Sequence, residues 1–160
     1  MQFSPQLEEK FRKLAGHYPV RRSALIPMLL FAQDEYGFLS KEIIAEISRR
    51  IDLTVLDVEG TISYYSMLRK KPAGRYHLQI CTNISCMLRG GDELFEHARK
   101  KLGIAPGEIT PDGLFSLEEV ECIGACAWAP AIQVNYDFHH ELAPERFDQL
   151  IQELQKVSRM

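Results

Sequence analysis

Apolar positions recur every three or four residues through the first part of the chain and alternate with polar ones further on. The first part therefore reads as helices, the second as strands mixed with helices. Ser4-Pro5 gives an N-cap followed by proline at the first helical position, and Leu7, Phe11 and Leu14 carry one face on to Gly16. Ser23 reads as the cap of a second helix, with Pro27 near its first turn, Ile26, Leu29 and Leu30 on its apolar side, and Gly37 just past its end. Ser40 starts a third helix with Ile43, Ile44 and Ile47 on one face. Thr54 with Asp57 three residues later makes a capping box, aspartate standing in for the usual glutamate, and opens a fourth helix carrying Val58, Ile62 and Tyr65. The pattern predicts a small helical bundle over residues 1–71.

The run Lys70-Lys71-Pro72-Ala73-Gly74 is rich in turn formers and marks a boundary, with a second domain over residues 72–160. Tyr76, Leu78 and Ile80 alternate with polar neighbours and predict a strand ending at Cys81. A loop carrying Cys86 leads to Gly90-Gly91 and a helix over 92–102, closed by Gly103. Pro106-Gly107 and Pro111-Asp112-Gly113 are turns. Strands over 114–120 and 131–136, a hairpin partner within 137–142, and a last helix from Pro144 through Phe147, Leu150, Ile151 and Leu154 complete the order β-α-β-β-β-α.

A chain of 160 residues suits one ordinary domain, or a small one with an accessory segment. It is long enough to bury about 70% of its unfolded surface. With 46% hydrophobic and 26% charged residues it reads as globular and soluble. The net charge of −3 lacks the basic footprint of a nucleic-acid binder. The longest apolar run, 24–32, is too short to span a bilayer, so a membrane role would be indirect. Met1 is not followed by a charged-then-apolar leader, and a cytosolic chain is expected.

All four cysteines fall in two close pairs, Cys81 with Cys86 and Cys122 with Cys126, spaced C-x4-C and C-x3-C with 35 residues between. Two thiolates for each iron is what a [2Fe–2S] rhombus requires. Gly90, Gly91 and Gly124 beside the pairs let backbone N–H groups approach a bound anion. Two other assignments use the same sulfurs. Disulfides are rare in a reducing compartment. A structural Zn(Cys)4 site usually shows tighter C-x2-C knuckles. The plant-type and bacterial ferredoxin runs are absent, as is a thioredoxin C-x-x-C dithiol.

Three segments carry a resemblance: Val58 to Tyr65 (VEGTISYY), Cys81 to Gly91 (CTNISCMLRGG) and Glu121 to Pro130 (ECIGACAWAP). With Leu25-Ile26-Pro27, they are similar to the thioredoxin-like [2Fe–2S] subunit, the E subunit, of respiratory NADH:quinone oxidoreductase (complex I). The likeness covers nearly the whole chain. No departure touches a ligand position; small ones fall at Tyr64, where the family often has Phe, and at Gly91, where it often has Ala. The fold implied is α+β: an N-terminal helical bundle followed by a thioredoxin-like α/β domain.

The resemblance implies that Cys81, Cys86, Cys122 and Cys126 ligate one [2Fe–2S] cluster. It also implies docking on a flavoprotein partner that holds FMN and NADH, in a peripheral arm on the cytoplasmic side of a bacterial inner membrane. The same module serves NAD-linked hydrogenases and formate dehydrogenases. A structural zinc module for assembly is the alternative of another class.

Backbone donors to the cluster are expected around Asn83 to Ser85, at Gly90-Gly91 and at Gly124-Ala125, with the N-terminus of the following helix adding its positive end. The chain has no G-x-G-x-x-G and no phosphate loop, so hydride chemistry falls to the partner. Trp128 is either a shield or partner anchor, or core packing. Arg89 is either a contact to the partner or to the cluster's negative field, or a plain surface arginine. His139-His140 on a polar hairpin read as solvated rather than as ligands. Lys70-Lys71 and Arg21-Arg22 read as solvated faces, Tyr64-Tyr65 as packing. Ala129-Pro130 admits either peptide isomer.

Overall fold

The computed structural model describes residues 2–158 and divides into two compact units, one ending at Pro72 and the other starting at Ala73.

The first unit is helical: α1 (Pro5–His17), α2 (Leu25–Tyr36), α3 (Lys41–Ile51) and α4 (Val55–Tyr64). Its caps are those the sequence predicts at three helices. Ser4 accepts from Leu7 N–H, Ser40 from Ile43 N–H, and Thr54 and Asp57 exchange both bonds of a capping box. Gly37 closes α2 in the left-handed region. The exception is Ser23. It lies inside a 3₁₀ turn, Arg21–Ala24, that runs directly into α2, and its N–H bonds to the Val20 carbonyl, so it caps nothing.

Leu7, Phe11, Leu29, Ile43, Ile47, Val58 and Ile62 meet in one apolar core. Tyr65 packs on that core, whereas Tyr64 is 81% exposed and sets its ring edge-on against Tyr65. Buried Gln33 ties the end of this unit to α2: its Nε2 donates to the Met67 carbonyl at 2.8 Å and its Oε1 accepts from Arg69 N–H at 2.6 Å.

The second unit holds a four-stranded sheet of order β2-β1-β3-β4, from β1 (Tyr76–Cys81), β2 (Phe115–Val120), β3 (Ile132–Val134) and β4 (Asp137–His139). β1 and β2 pair in parallel, joined through α5 (Ile84–Met87) and α6 (Gly91–Leu102); β3 and β4 are antiparallel additions. Leu78, Ile80, Phe115, Leu117, Ile132 and Val134 share a core with Leu94 and Ala98 of α6 and with Phe147 and Ile151 of α7 (Pro144–Ser158). On the opposite sheet face His77 bridges Ser116 (2.8 Å) and Glu118 (2.9 Å), and Gln79 donates to Glu118 (2.9 Å).

Two departures from the sequence reading have local causes. β3 stops at Val134 because Asn135 takes a positive φ of 56°, and its side chain accepts from His77 N–H and donates to the Arg75 carbonyl. β4 ends at His139 because the next residues turn back: Glu141 and Leu142 donate to the carbonyls of Trp128 and Pro130.

Candidate metal centre

Parallel pairing of β1 and β2 sets the site. Both strands end at the same edge, with Cys81 in register with Val120, so the segments that follow them leave the sheet side by side. One segment carries Cys86, the other Cys122 and Cys126. In open α/β sheets, ligand sites assemble at this carboxyl end of the strands.

Cys86 sits in α5, a single helical turn where the sequence pattern predicts only loop. Asn83 opens this turn by accepting from Ile84 N–H at 2.9 Å. The chain then turns sharply at Gly90 into α6. Gly91 fits there because its backbone presses on the site: an added Cβ would lie 2.8 Å from the Cys86 carbonyl carbon and 2.9 Å from the Cys81 oxygen. Any side chain at this position would have to displace that loop. α6 therefore starts directly against Cys81 and Cys86.

Cys81 and Cys86 are buried, each 2% exposed, on a floor of small residues: Ala125, Ala129, Ala131 and Val120. Cys122 and Cys126 are exposed. The sulfurs of Cys122 and Cys126 are 3.8 Å apart. Two thiolates on one tetrahedral metal at about 2.3 Å each lie about 3.8 Å apart, so this pair has the spacing of a single metal's ligands. The Cys81 thiol donates to the Glu121 carbonyl at 3.5 Å, which links the buried pair to the second loop. Among the described residues, no three of His, Cys, Asp and Glu converge on a single ion.

The thiols feel one another. Burial pushes the Cys86 thiol up to about 11, with the neighbouring Cys81 and Cys126 adding to the rise and a hydrogen bond from the Ala131 backbone opposing it. Cys126 is raised chiefly by Cys122 beside it, and the Ser85 side chain works the other way. In the metal-free chain both shifts favour the thiol form of Cys86 and Cys126. A metal binding them must displace protons.

Of the expected donors, Gly124 N–H does reach Cys122 Sγ, at 3.4 Å, from a left-handed backbone (φ 81°) that favours glycine. Gly90 N–H does not; it is used by the Met87 carbonyl at 3.1 Å. The Ala131 backbone and the Ser85 side chain are sulfur partners that the sequence reading misses. Ser85 stands beside Cys86 within the motif, so its place there is a usable signal. Ala131 is brought in by strand pairing, where its carbonyl accepts from Cys81 N–H at 3.3 Å.

The flanking residues sort clearly. Trp128 is 54% exposed in a 3₁₀ turn, Cys126–Trp128, so it is not core packing. It stacks on His140 with ring centres 5.3 Å apart, which makes His140 a stacking partner rather than a freely solvated ring. Arg89 is exposed and lines a shallow 260 Å³ cavity with Ser85, Leu88, Cys126 and Ala127. The 129–130 peptide bond is cis.

Comparison with known proteins gives the family. Residues 11–155 match the thioredoxin-like [2Fe–2S] ferredoxin family. The chain is 40% identical over 154 residues to the E 2 subunit of the NADH-quinone oxidoreductase of Rhizobium meliloti, covering 96% of this chain and 92% of the relative. It is 48% identical over 131 residues to NADH-quinone oxidoreductase subunit 2 of Thermus thermophilus, covering 81% and 70%. Among solved structures, an NAD⁺-reducing [NiFe]-hydrogenase superposes with a TM-score of 0.67 at 25% identity, covering 80% of this chain and 22% of the hydrogenase chain.

Proposed function

Since this chain belongs to the thioredoxin-like [2Fe–2S] ferredoxin family, we propose that it is the electron-carrying E subunit of an NADH:quinone oxidoreductase, with Cys81, Cys86, Cys122 and Cys126 holding one [2Fe–2S] cluster. The convergence of two cysteine pairs from the ends of two adjacent parallel strands is the observation that carries this reading. When bound, such a cluster supplies a one-electron store.

The chain's residues hold and tune that store. Four thiolates leave the site strongly negative, which is costly under partial burial unless donors face it. Gly124 N–H, the Ala131 backbone, the Ser85 side chain and the N-terminal end of α6 supply them. Burial of Cys81 and Cys86 keeps water from one half of the site. Exposure of Cys122, Cys126 and Trp128 opens the other half toward a partner.

In this reading the partner is a flavoprotein that carries FMN and NADH, because this chain has no dinucleotide motif of its own. The complex places the chain in a peripheral arm on the cytoplasmic face of the membrane. Among the described residues no helix is long and apolar enough to cross a bilayer. The hydrogenase likeness favours a second setting for the same module, the diaphorase part of an NAD-linked hydrogenase.

Optical and EPR spectra of the purified full chain test the reading, together with metal analysis. A reddish-brown protein with iron and sulfide in equal amounts and an EPR signal on reduction is expected. A colourless chain with stoichiometric zinc would make it a structural module instead. Co-elution with the flavoprotein tests the partner.

A further inference from the structure

The two cysteine pairs differ in access. Cys81 and Cys86 are buried at the end of β1 and in α5, while Cys122 and Cys126 lie exposed in the loop after β2 with sulfurs 3.8 Å apart. A disulfide needs about 2.05 Å. Rotation about one exposed Cα–Cβ bond between staggered positions moves a sulfur by about 3 Å, more than the gap requires. Both sulfurs can be reached by a thiol reagent without opening the fold, and neither is held in a strand or a long helix.

We propose that in the cluster-free chain Cys122 and Cys126 close into a disulfide by exchange with a small-molecule disulfide, and that closure withholds half of the ligand set until a thiol reductant reopens it. One sulfur attacks the small disulfide, forming a mixed disulfide and releasing one small thiol. The second protein sulfur then attacks the first, forming the Cys122–Cys126 bond and releasing the other small thiol. Two protein thiols are oxidised and one small disulfide is reduced to two thiols. The effect on loading rests on the cysteine ligation proposed above; the closure itself does not.

The test uses the full chain, stripped of metal by chelation under reductant, then held with oxidised glutathione and mapped by non-reducing tryptic mass spectrometry. The sequence separates the pairs, since residues 76–89 carry Cys81 and Cys86 and residues 102–146 carry Cys122 and Cys126. The 102–146 peptide is expected two hydrogens lighter, with 76–89 still in the thiol form. In urea the two short loops should close with similar ease, so the native preference for 102–146 is expected to exceed the unfolded one by at least about tenfold, because buried thiols react only through opening. Equal preference in buffer and urea, closure within 76–89, or a bridge between the peptides overturns the proposal.

Reconstitution with ferrous iron and sulfide is expected to fall at least about tenfold in the closed chain and to return with dithiothreitol. Undiminished uptake removes the gating half. Colour of the chain as purified judges the ligand assignment separately: a brown protein with the wrong disulfide sinks only this inference, and a colourless one that closes at 102–146 sinks only the assignment.

Discussion

At the scale of single residues, buried sulfur and buried amide are the positions least open to change. Cys86 lies 2% exposed against Cys81 and the Ala131 backbone. Cys86→Ser is expected to bleach or destabilise the centre, read as lost visible absorbance and lower iron per chain; an unchanged spectrum would remove Cys86 from the ligand set. Gln33 is a structural counterpart in the helical unit. Its amide satisfies the Met67 carbonyl and the Arg69 N–H. Gln33→Leu fits the space but strands both groups, at a cost of about 1–3 kcal/mol, seen as a lower denaturant midpoint. Neither residue is special by type alone. The cysteine stands out as a candidate because its three fellows make a ligand pattern, whereas a lone glutamine in an apolar helix signals nothing about its partners.

At the scale of elements, caps and charges fix where helices begin and how α1 and α3 hold together. Glu46, buried on α3, accepts from Arg49 at 2.7 Å and from Arg50 at 2.7 Å, and Arg50 also pairs with Glu8 of α1 at 2.6 Å while lying over the Phe3 ring. The Arg49 hydrogen bond first, and then Arg50, hold the Glu46 carboxyl down at about 2, against burial that opposes them. A depressed carboxylate stabilises the fold above its unfolded value, near 4.5, and that contribution fades as pH falls toward 2. Glu46→Gln should therefore melt below the native chain at pH 7, and the gap in Tm should close by about pH 2; a constant gap across that range would show that packing rather than charge is responsible.

The caps at Ser4, Ser40 and Thr54 could be read from sequence because capping is a local chemistry of three or four residues. Ser23 could not, because a 3₁₀ turn feeding a helix has the same residues as a cap preceding one. α5 escaped for a related reason: one turn is too short to show a period.

At the scale of the whole molecule, the chain is two packed units joined at a turn-rich segment. Lys70, Lys71 and Pro72 lie at that joint, and Lys71 is exposed. Limited trypsin digestion of the full chain should cut first after Lys70, since a Lys71-Pro72 bond resists the enzyme, and should leave two fragments that each resist further cleavage. First cuts inside α6 or α7 would argue against a joint at this place.

The sequence by itself determined the helical and strand periods, most of the caps, the break near residue 72 and the identity of four candidate sulfur ligands, because each is written in short-range patterning. Tertiary structure decided that β1 and β2 run parallel as neighbours and so deliver Cys81–Cys86 and Cys122–Cys126 to one edge. It also decided which pair is buried and which is open, and which N–H groups face the sulfurs. The physical reason is that strand pairing and burial depend on residues tens of positions apart, and no local pattern of side chains records which partner a strand will choose.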